Sequence, residues 1–373
     1  MDKQLQQTDS LRIIIAGGGT GGHVFPAIAI ALAIKKKVYN AKILFVGAKG
    51  RMEMKKVPAA GFHIIGLNIA GLQRRLTWKN LQVPFKLIDS MIRAKNIVKR
   101  FKPDVVIGVG GYASGPLVRA AAKQGVPTLI QEQNSFPGLT NRILGKKANK
   151  ICVAYEGMDR FFDKTKIYLT GNPVRKDIVS LEGKMDQAME FFGFTPEKPV
   201  LFVTGGSLGA RTINESVSRH LQLFADNEIQ LIWQTGTSYY QQALEQAKRY
   251  TKGVYVNQFI DRMDYAYAAA NIVVSRAGAI AVSEICAIQK PAILIPSPNV
   301  AEDHQTKNAL ALVNHHAAIL VKDNEATEIL GKVVIDLIKD EEKIFRMKEK
   351  LVGLSFRDAA DVIAGVALSL VKK

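Results

Sequence analysis

The chain is predicted to be α/β: two doubly wound parallel-sheet domains facing each other across a cleft. Three observations carry that prediction. Short apolar runs alternate with helical patterns through both halves, and runs apolar throughout are what strands covered by helices on both faces require. A glycine-rich turn follows a strand in each half, Gly17-Gly18-Gly19-Thr20-Gly21-Gly22 in the first and Gly205-Gly206-Ser207-Leu208-Gly209 in the second. A length of 373 residues is also long for a single core.

In the first half, strands are expected over 12–16, 42–46, 105–109, 128–131 and 150–154. Helices over 27–36, 52–59, 81–101, 116–124 and 140–148 separate them. Gly171-Asn172-Pro173 breaks the pattern, so the domains are placed at 11–173 and 174–355. The second half repeats the scheme, with strands over 200–204, 230–234, 253–257, 272–275 and 292–295. Its helices are expected over 212–224, 239–250, 261–269, 280–287 and 305–315. A last apolar helix, within 356–373, has no docking partner that pattern alone assigns.

Composition is that of a folded protein, 47% hydrophobic and 23% charged. Two distant cysteines, Cys152 and Cys286, exclude a disulfide framework and point to a reducing compartment. The start, Met1 to Ser10, is polar and is not read as a signal peptide. The apolar stretch from Val24 to Ile34 is too short to span a bilayer. Net charge is +18, and it is concentrated: between Lys35 and Lys102 there are 17 Lys or Arg against two acids, Glu53 and Asp89. Such a patch implies an anionic partner, whether nucleic acid, acidic lipid or polyphosphate. Apolar and aromatic residues interleave with the cations, notably Leu72, Arg74, Arg75, Leu76, Trp78, Lys79 and Phe85. That mixture suits an interfacial loop on an anionic membrane surface. Within the following helix, the spacing of Phe85, Ile88 and Ile92 equally suits an ordinary core face.

Each glycine-rich turn aims backbone N–H groups and a positive helix end at an anion, usually phosphate. Gly17, Gly19 and Gly22 satisfy the dinucleotide fingerprint, yet the next strand ends Val46-Gly47-Ala48-Lys49 without the acid that would hold a ribose. An NADP-dependent oxidoreductase using Lys49 and Arg51 therefore stays open as a weakened alternative. His23 follows the turn at the start of a helix, where the dipole disfavours the imidazolium and leaves a neutral base. A second loop, Gly110, Gly111, Tyr112, Ala113, Ser114, Gly115 and Pro116, would lie beside Gly19, with Pro116 at the first helical position. A pyrophosphate could occupy both loops; a plain strand-to-helix connection explains the second equally well. Ser275-Arg276-Ala277-Gly278-Ala279 can accept phosphate ahead of a helix carrying Glu284, which either takes two ribose hydroxyls or only caps or solvates its helix. His304-Gln305 opens a further helix after Pro296 and Pro298 and could meet a sugar. No Asp-x-Asp or Cys/His cluster occurs, so no protein-held metal is expected. A nucleic-acid binder using the basic region and a catalytically silent nucleotide-sugar sensor are the remaining alternatives; no recognised nucleic-acid module is present.

Taken together, Gly18 to His23, Gly110 to Pro116, Glu132-Gln133-Asn134, Gly171 to Arg175, Gly205 to Arg211 and Ala277-Gly278-Ala279 through Ser283-Glu284 resemble one family. It is the MurG family, bacterial transferases that move N-acetylglucosamine from UDP-N-acetylglucosamine to lipid I, giving lipid II for peptidoglycan and so for cell shape and division. The motifs keep the same order from about Leu11 to the C-terminus.

The resemblance implies a GT-B fold of two Rossmann-like domains, the second holding the nucleotide sugar and the first the lipid acceptor. It places Ser207 and the turn before Ala279 at the UDP diphosphate, with Arg175 adding charge. Ile260 would present backbone groups to uracil, and Glu284 would take the ribose hydroxyls. Gln305 and Asn134 would contact the donor sugar, with Thr20, Gly21 and Gly22 closing over it. His23 matches the histidine proposed as general base, and the C-terminal helix would return to the first domain. An inverting transfer without metal or cofactor, at the cytoplasmic face of the bacterial inner membrane, completes the expectation. Two positions depart from the family: Gln131 stands where histidine is common, and His304 stands where a Gln-Gln pair is usual, so only Gln305 carries over.

Overall fold

The computed structural model describes residues 10–69, 83–250 and 253–371. It divides into two compact units, Met1–Pro173 with Asp358–Lys373, and Val174–Arg357. The expected loop residues Leu72, Arg74, Arg75, Leu76, Trp78 and Lys79 lie outside the described residues.

The first unit is built on seven parallel strands: β1 (Arg12–Ala16), β2 (Lys42–Ala48), β3 (His63–Leu67), β4 (Val105–Gly108), β5 (Thr128–Glu132), β6 (Lys150–Val153) and β7 (Ile167–Leu169). Their order, β3-β2-β1-β4-β5-β6-β7, reverses direction between β1 and β4. Ile13, Ile14 and Ile15 are wholly buried because both faces of β1 are covered. Ile13 and Ile15 pack under α1 (Gly21–Lys37), while Ile14 and Ala16 face the layer of α3 (Val83–Phe101), α4 (Ser114–Lys123) and α5 (Leu139–Gly145). A short α2 (Glu53–Ala59) joins β2 to β3. Register puts Ala16 opposite Val46 on one side and Gly108 on the other, so the turns after β1 and β4 emerge side by side.

The second unit has six parallel strands in the order β10-β9-β8-β11-β12-β13. They are β8 (Val200–Thr204), β9 (Gln230–Gln234), β10 (Val254–Asn257), β11 (Ile272–Ser275), β12 (Ala292–Leu294) and β13 (Ile319–Leu320). Helices α6 (Lys176–Val179), α7 (Met185–Phe192), α8 (Arg211–Asp226), α9 (Tyr240–Ala247), α10 (Met263–Ala269), α11 (Ala279–Ile288), α12 (His304–Val313), α13 (Ala326–Ile338) and α14 (Glu341–Gly353) cover both faces. Thr204 pairs with Ser275, which again sets two glycine turns next to each other at the reversal point.

The last helix, α15 (Ala359–Leu368), belongs to the first unit and packs on α1. Its Ile363, Ala364 and Ala367 are wholly buried there.

Several expectations need correcting. Helix α1 starts at Gly21 rather than 27, with Pro26 inside it. A proline that close to the start deletes one early hydrogen bond and crowds the carbonyl four residues back, here that of the flexible Gly22. Pro116 stands third in α4, not first; first-turn N–H groups lack helical partners, so the missing donor costs nothing there either. Phe85, Ile88 and Ile92 are not the core face of α3. That face is Ser90, Ala94 and Val98, while Phe85 is 75% and Ile88 and Ile92 are each 57% exposed. Both cysteines are buried thiols, pushed up to about 12 by desolvation, Cys152 with a small opposing pull from Thr170 and Lys150.

Candidate active site

In the first unit the turn after β1 runs through left-handed Gly18 and Gly19 to Thr20, the exposed N-cap of α1. Gly21 and Gly22 are the first two helical residues, and no acid or side-chain cap serves this end. The turn after β4 touches it directly: Gly111, also left-handed, sits against the Gly18 backbone, where a Cβ would collide with the Gly18 carbonyl. Gly110 gives way to the His23 ring, since a Cβ there would lie 2.8 Å from both Cε1 and Nδ1. The expected neighbourhood of the two loops with His23 is therefore present.

Two members make hydrogen bonds within the first unit. Gly19 N–H donates to Glu53 Oε2 at 2.9 Å, and Glu53 Oε1 accepts Ala48 N–H at 2.9 Å. Glu53 is 1% exposed, so an internal carboxylate already fills part of this nest. Ser114 is wholly buried, and its hydroxyl reaches the carbonyls of Ala16 (2.7 Å) and Gly110 (2.9 Å), tying the loops together. Tyr112 is half-exposed and Gly115 half-buried at the start of α4. Sequence reasoning gave Glu53 no role, although its isolation among 17 cations was a signal.

The loop after β5 turns on Glu132, which is 2% exposed. Its carboxylate accepts the backbone and side-chain N–H groups of Asn134 (3.0 and 3.1 Å), Asn141 Nδ2 (2.8 Å) and Gly138 N–H (3.2 Å). Burial pushes its carboxyl up from the usual range, and those donors pull against it. Asn134, a predicted sugar contact, is thus held by Glu132. Beside it, Gln133 Oε1 meets His23 Nδ1 at 3.1 Å.

In the second unit, Ser207 and Leu208 form the exposed tip of the turn after β8, and Ala210 is the N-cap of α8 with no side-chain cap. The turn before Ala279 is alike: Gly278 is an uncapped N-cap, α11 has no acid in its first turn, and a Cβ at Gly278 would meet nothing within 4 Å. Two helix N-termini with unsatisfied donors therefore flank the reversal point, the arrangement that suits a diphosphate.

Glu284 lies in the second turn of α11, only 8% exposed, and accepts from the Tyr267 hydroxyl at 3.2 Å. Desolvation pushes its carboxyl up to about 7 against the opposing pull of Tyr267 and Arg175. A buried carboxylate does not solvate its helix, so that alternative falls. Arg175, the N-cap of α6, pairs bidentately with Asp177, and burial of its guanidinium is outweighed by Asp177, Glu284 and Asp264, which hold it charged. Ile260 is 2% exposed and its N–H is taken by Gln234 Oε1 at 2.9 Å, so a base would be read through the Ile260 carbonyl or by displacing that amide. Gln234 also donates to Thr204 Oγ1 and the Gly206 carbonyl, linking this position to the glycine turn; sequence reasoning missed it. Gln305, in the first turn of α12, accepts Ser297 N–H at 2.9 Å through its side-chain oxygen. Among the described residues no group of three or more His, Cys, Asp or Glu is placed to hold a metal ion.

A family model for the N-terminal domain of glycosyltransferase family 28 matches residues 13–153, and one for its C-terminal domain matches 200–363. A Bacteroides fragilis protein named UDP-N-acetylglucosamine--N-acetylmuramyl-(pentapeptide) pyrophosphoryl-undecaprenol N-acetylglucosamine transferase is 52% identical over 370 residues, 98% of this chain and 97% of that one. The chain belongs to glycosyltransferase family 28. A relative of the same name from Cytophaga hutchinsonii is 53% identical over 361 residues, 96% of this chain and 97% of that one. The crystal structure of Acinetobacter baumannii MurG matches with a TM-score of 0.78 and 26% identity, covering 96% of this chain and 99% of that one. Two Rossmann-like units of the GT-B class are what family 28 requires and what the sheets display. As a family 28 glycosyltransferase the chain is not an oxidoreductase, and the internal carboxylate at Gly19 gives the physical reason: a dinucleotide pyrophosphate would meet Glu53 there.

Proposed function

We propose that this chain transfers N-acetylglucosamine from UDP-N-acetylglucosamine to the C4 hydroxyl of the muramyl sugar of lipid I, undecaprenyl-pyrophosphoryl-N-acetylmuramyl-pentapeptide. The product is lipid II, for peptidoglycan synthesis. The observation that carries this reading is the 52% identity over 98% of the chain to a transferase named for that donor and acceptor.

The second unit supplies the donor site. Amide donors of the turns at Ser207 and Ala279 receive the diphosphate, Arg175 adds positive charge, Ile260 reads uracil, and Glu284 takes the ribose hydroxyls. Gln305 meets the sugar through its amide NH2. The first unit supplies the base and acceptor loops: His23 takes the proton of the C4 hydroxyl as its oxygen attacks the anomeric carbon. The bond from that carbon to the diphosphate oxygen breaks, UDP leaves with the electron pair, and the anomeric centre inverts. Fixed N–H donors stabilise charge growing on the leaving diphosphate without reorganising, and a base of this kind contributes about 10²–10⁴-fold. Thr20, Gly21, Gly22 and Asn134 contact the donor sugar in this reading, and Gly110, Gly111, Tyr112 and Gly115 the acceptor.

The acceptor is lipid-linked, and the first unit offers a surface that suits an anionic cytoplasmic leaflet. Phe85, Ile88 and Ile92 of α3 are exposed beside Lys95, Lys99 and Arg100, and Leu139 (63%) and Ile143 (53%) of α5 are exposed in the same helix layer. Rings and aliphatics entering the headgroups with cations above acidic lipid give peripheral attachment. No helix among the described residues is long and apolar enough to cross a membrane.

The test is UDP release from UDP-N-acetylglucosamine with and without a lipid I analogue. Release that depends on the analogue is expected, and His23→Ala should lower kcat at least about 100-fold with little change in donor affinity. Analogue-independent hydrolysis, or no turnover by natively folded protein, would defeat the reading.

A further inference from the structure

His23 is held by a ring of amides that the chemistry above does not use. Gln133 Nε2 donates to the Val109 carbonyl at 2.7 Å and to Gln131 Oε1. Gln131 Nε2 donates to Asn172 Oδ1 at 2.8 Å, and Asn172 Nδ2 returns to the Gln133 carbonyl at 2.9 Å. Gln131, Gln133 and Asn172 are 0%, 1% and 2% exposed. Backbone carbonyls only accept, so the Val109 contact fixes which end of the Gln133 amide is nitrogen and turns Oε1 toward the imidazole. An amide oxygen also only accepts, so the ring nitrogen 3.1 Å away must carry hydrogen.

We propose that Gln133 is a positioning residue that fixes neutral His23 as the Nδ1–H tautomer, making Nε2 the basic nitrogen, with Gln131 and Asn172 locking Gln133 in place. The assignment rests on the reading of His23 as general base for its catalytic meaning, but the tautomer itself does not. Which nitrogen holds the proton is set by the partner of the other one, and here every member of the ring is an amide that cannot ionise. The orienting contact therefore stays the same across the working pH range. At its place in the ring Gln131 supplies one fixed acceptor and one fixed donor. Gly110 completes the seat, because any Cβ there would displace the same Nδ1 edge.

The experiment is long-range proton–nitrogen NMR on the full chain labelled in its histidine rings, at alkaline pH where neutral imidazole dominates, with His23→Ala used to assign one of the six histidines. Native protein should show His23 protonated at Nδ1. Gln133→Leu should lose that preference and lower kcat by at least about 10-fold, with the KM for UDP-N-acetylglucosamine within about twofold. Nε2–H in native protein overturns the proposal without any variant having to fold, and so does a Gln133→Leu enzyme of native kcat. If native protein shows Nδ1–H but His23→Ala still transfers sugar at the native rate, the base reading fails and the tautomer assignment stands.

Discussion

At Glu284 the protein keeps a carboxyl group under conditions that disfavour its charge, and that has a measurable price in stability. Desolvation lifts it from 4.5 to about 7 in the folded chain. Between those values the folded state retains a proton that the unfolded state has released, so stability falls as pH rises through the window and the loss is complete above about 7. At about 1.4 kcal/mol per unit, the span amounts to roughly 3–4 kcal/mol at most. Glu284→Gln should therefore be more stable than native protein in urea at about pH 8, and no more stable at about pH 4. It should also bind UDP-N-acetylglucosamine more weakly, because a neutral amide replaces the acceptor proposed for the ribose diol. An equal stability difference at both pH values would show that Glu284 does not hold its proton in the folded state. Residues of this kind were partly legible in the sequence. Glu284 stood out because it followed a glycine turn at helical spacing, but Glu53 did not, since its partners Gly19 and Ala48 lie on two different strand ends that only the fold brings together. Gln133 and Gln234 were invisible as organisers for the same reason: nothing in the chain order places an amide against His23 or Ile260.

Among the elements, the interior strands and the edge strand β10 were readable, and the other three edges were not. Arg12–Ala16, Val200–Thr204 and Gln230–Gln234 match expectation because burial on both faces leaves a continuous apolar run. The unexpected strands β3, β7 and β13 are all at sheet edges: His63, Ile65 and Leu169 are exposed in the first two, and β13 is only two residues long. Helix α3 misled for a complementary reason. It carries an apolar stripe in its first half and a different, buried one at Ser90, Ala94 and Val98, and periodicity alone does not say which meets the sheet. The two stripes make separable predictions. Ile88→Ser with Ile92→Ser should leave urea stability within about 0.5 kcal/mol of native yet weaken sedimentation with anionic vesicles. Val98→Ala should do the reverse, lowering stability by about 1 kcal/mol or more through its lost buried methyls. Identical vesicle binding by the double variant would remove α3 from the membrane surface.

For the whole molecule, the relevant quantity is an uneven net charge of +18. Cations near an acidic leaflet contribute about 1 kcal/mol each and are screened within about 10 Å at moderate salt. Vesicle binding should therefore require anionic lipid and decline steeply as salt is raised; equally strong binding to neutral vesicles would assign attachment to the apolar side chains alone. The connectivity has a further consequence, for biosynthesis. Because α15 closes the core around α1 but is separated from it by the whole of Val174–Arg357, the core of the first unit is completed only after the contiguous second unit has been synthesised. A chain cut short before Ile363 would carry an open hydrophobic seat over α1 for quality control to find.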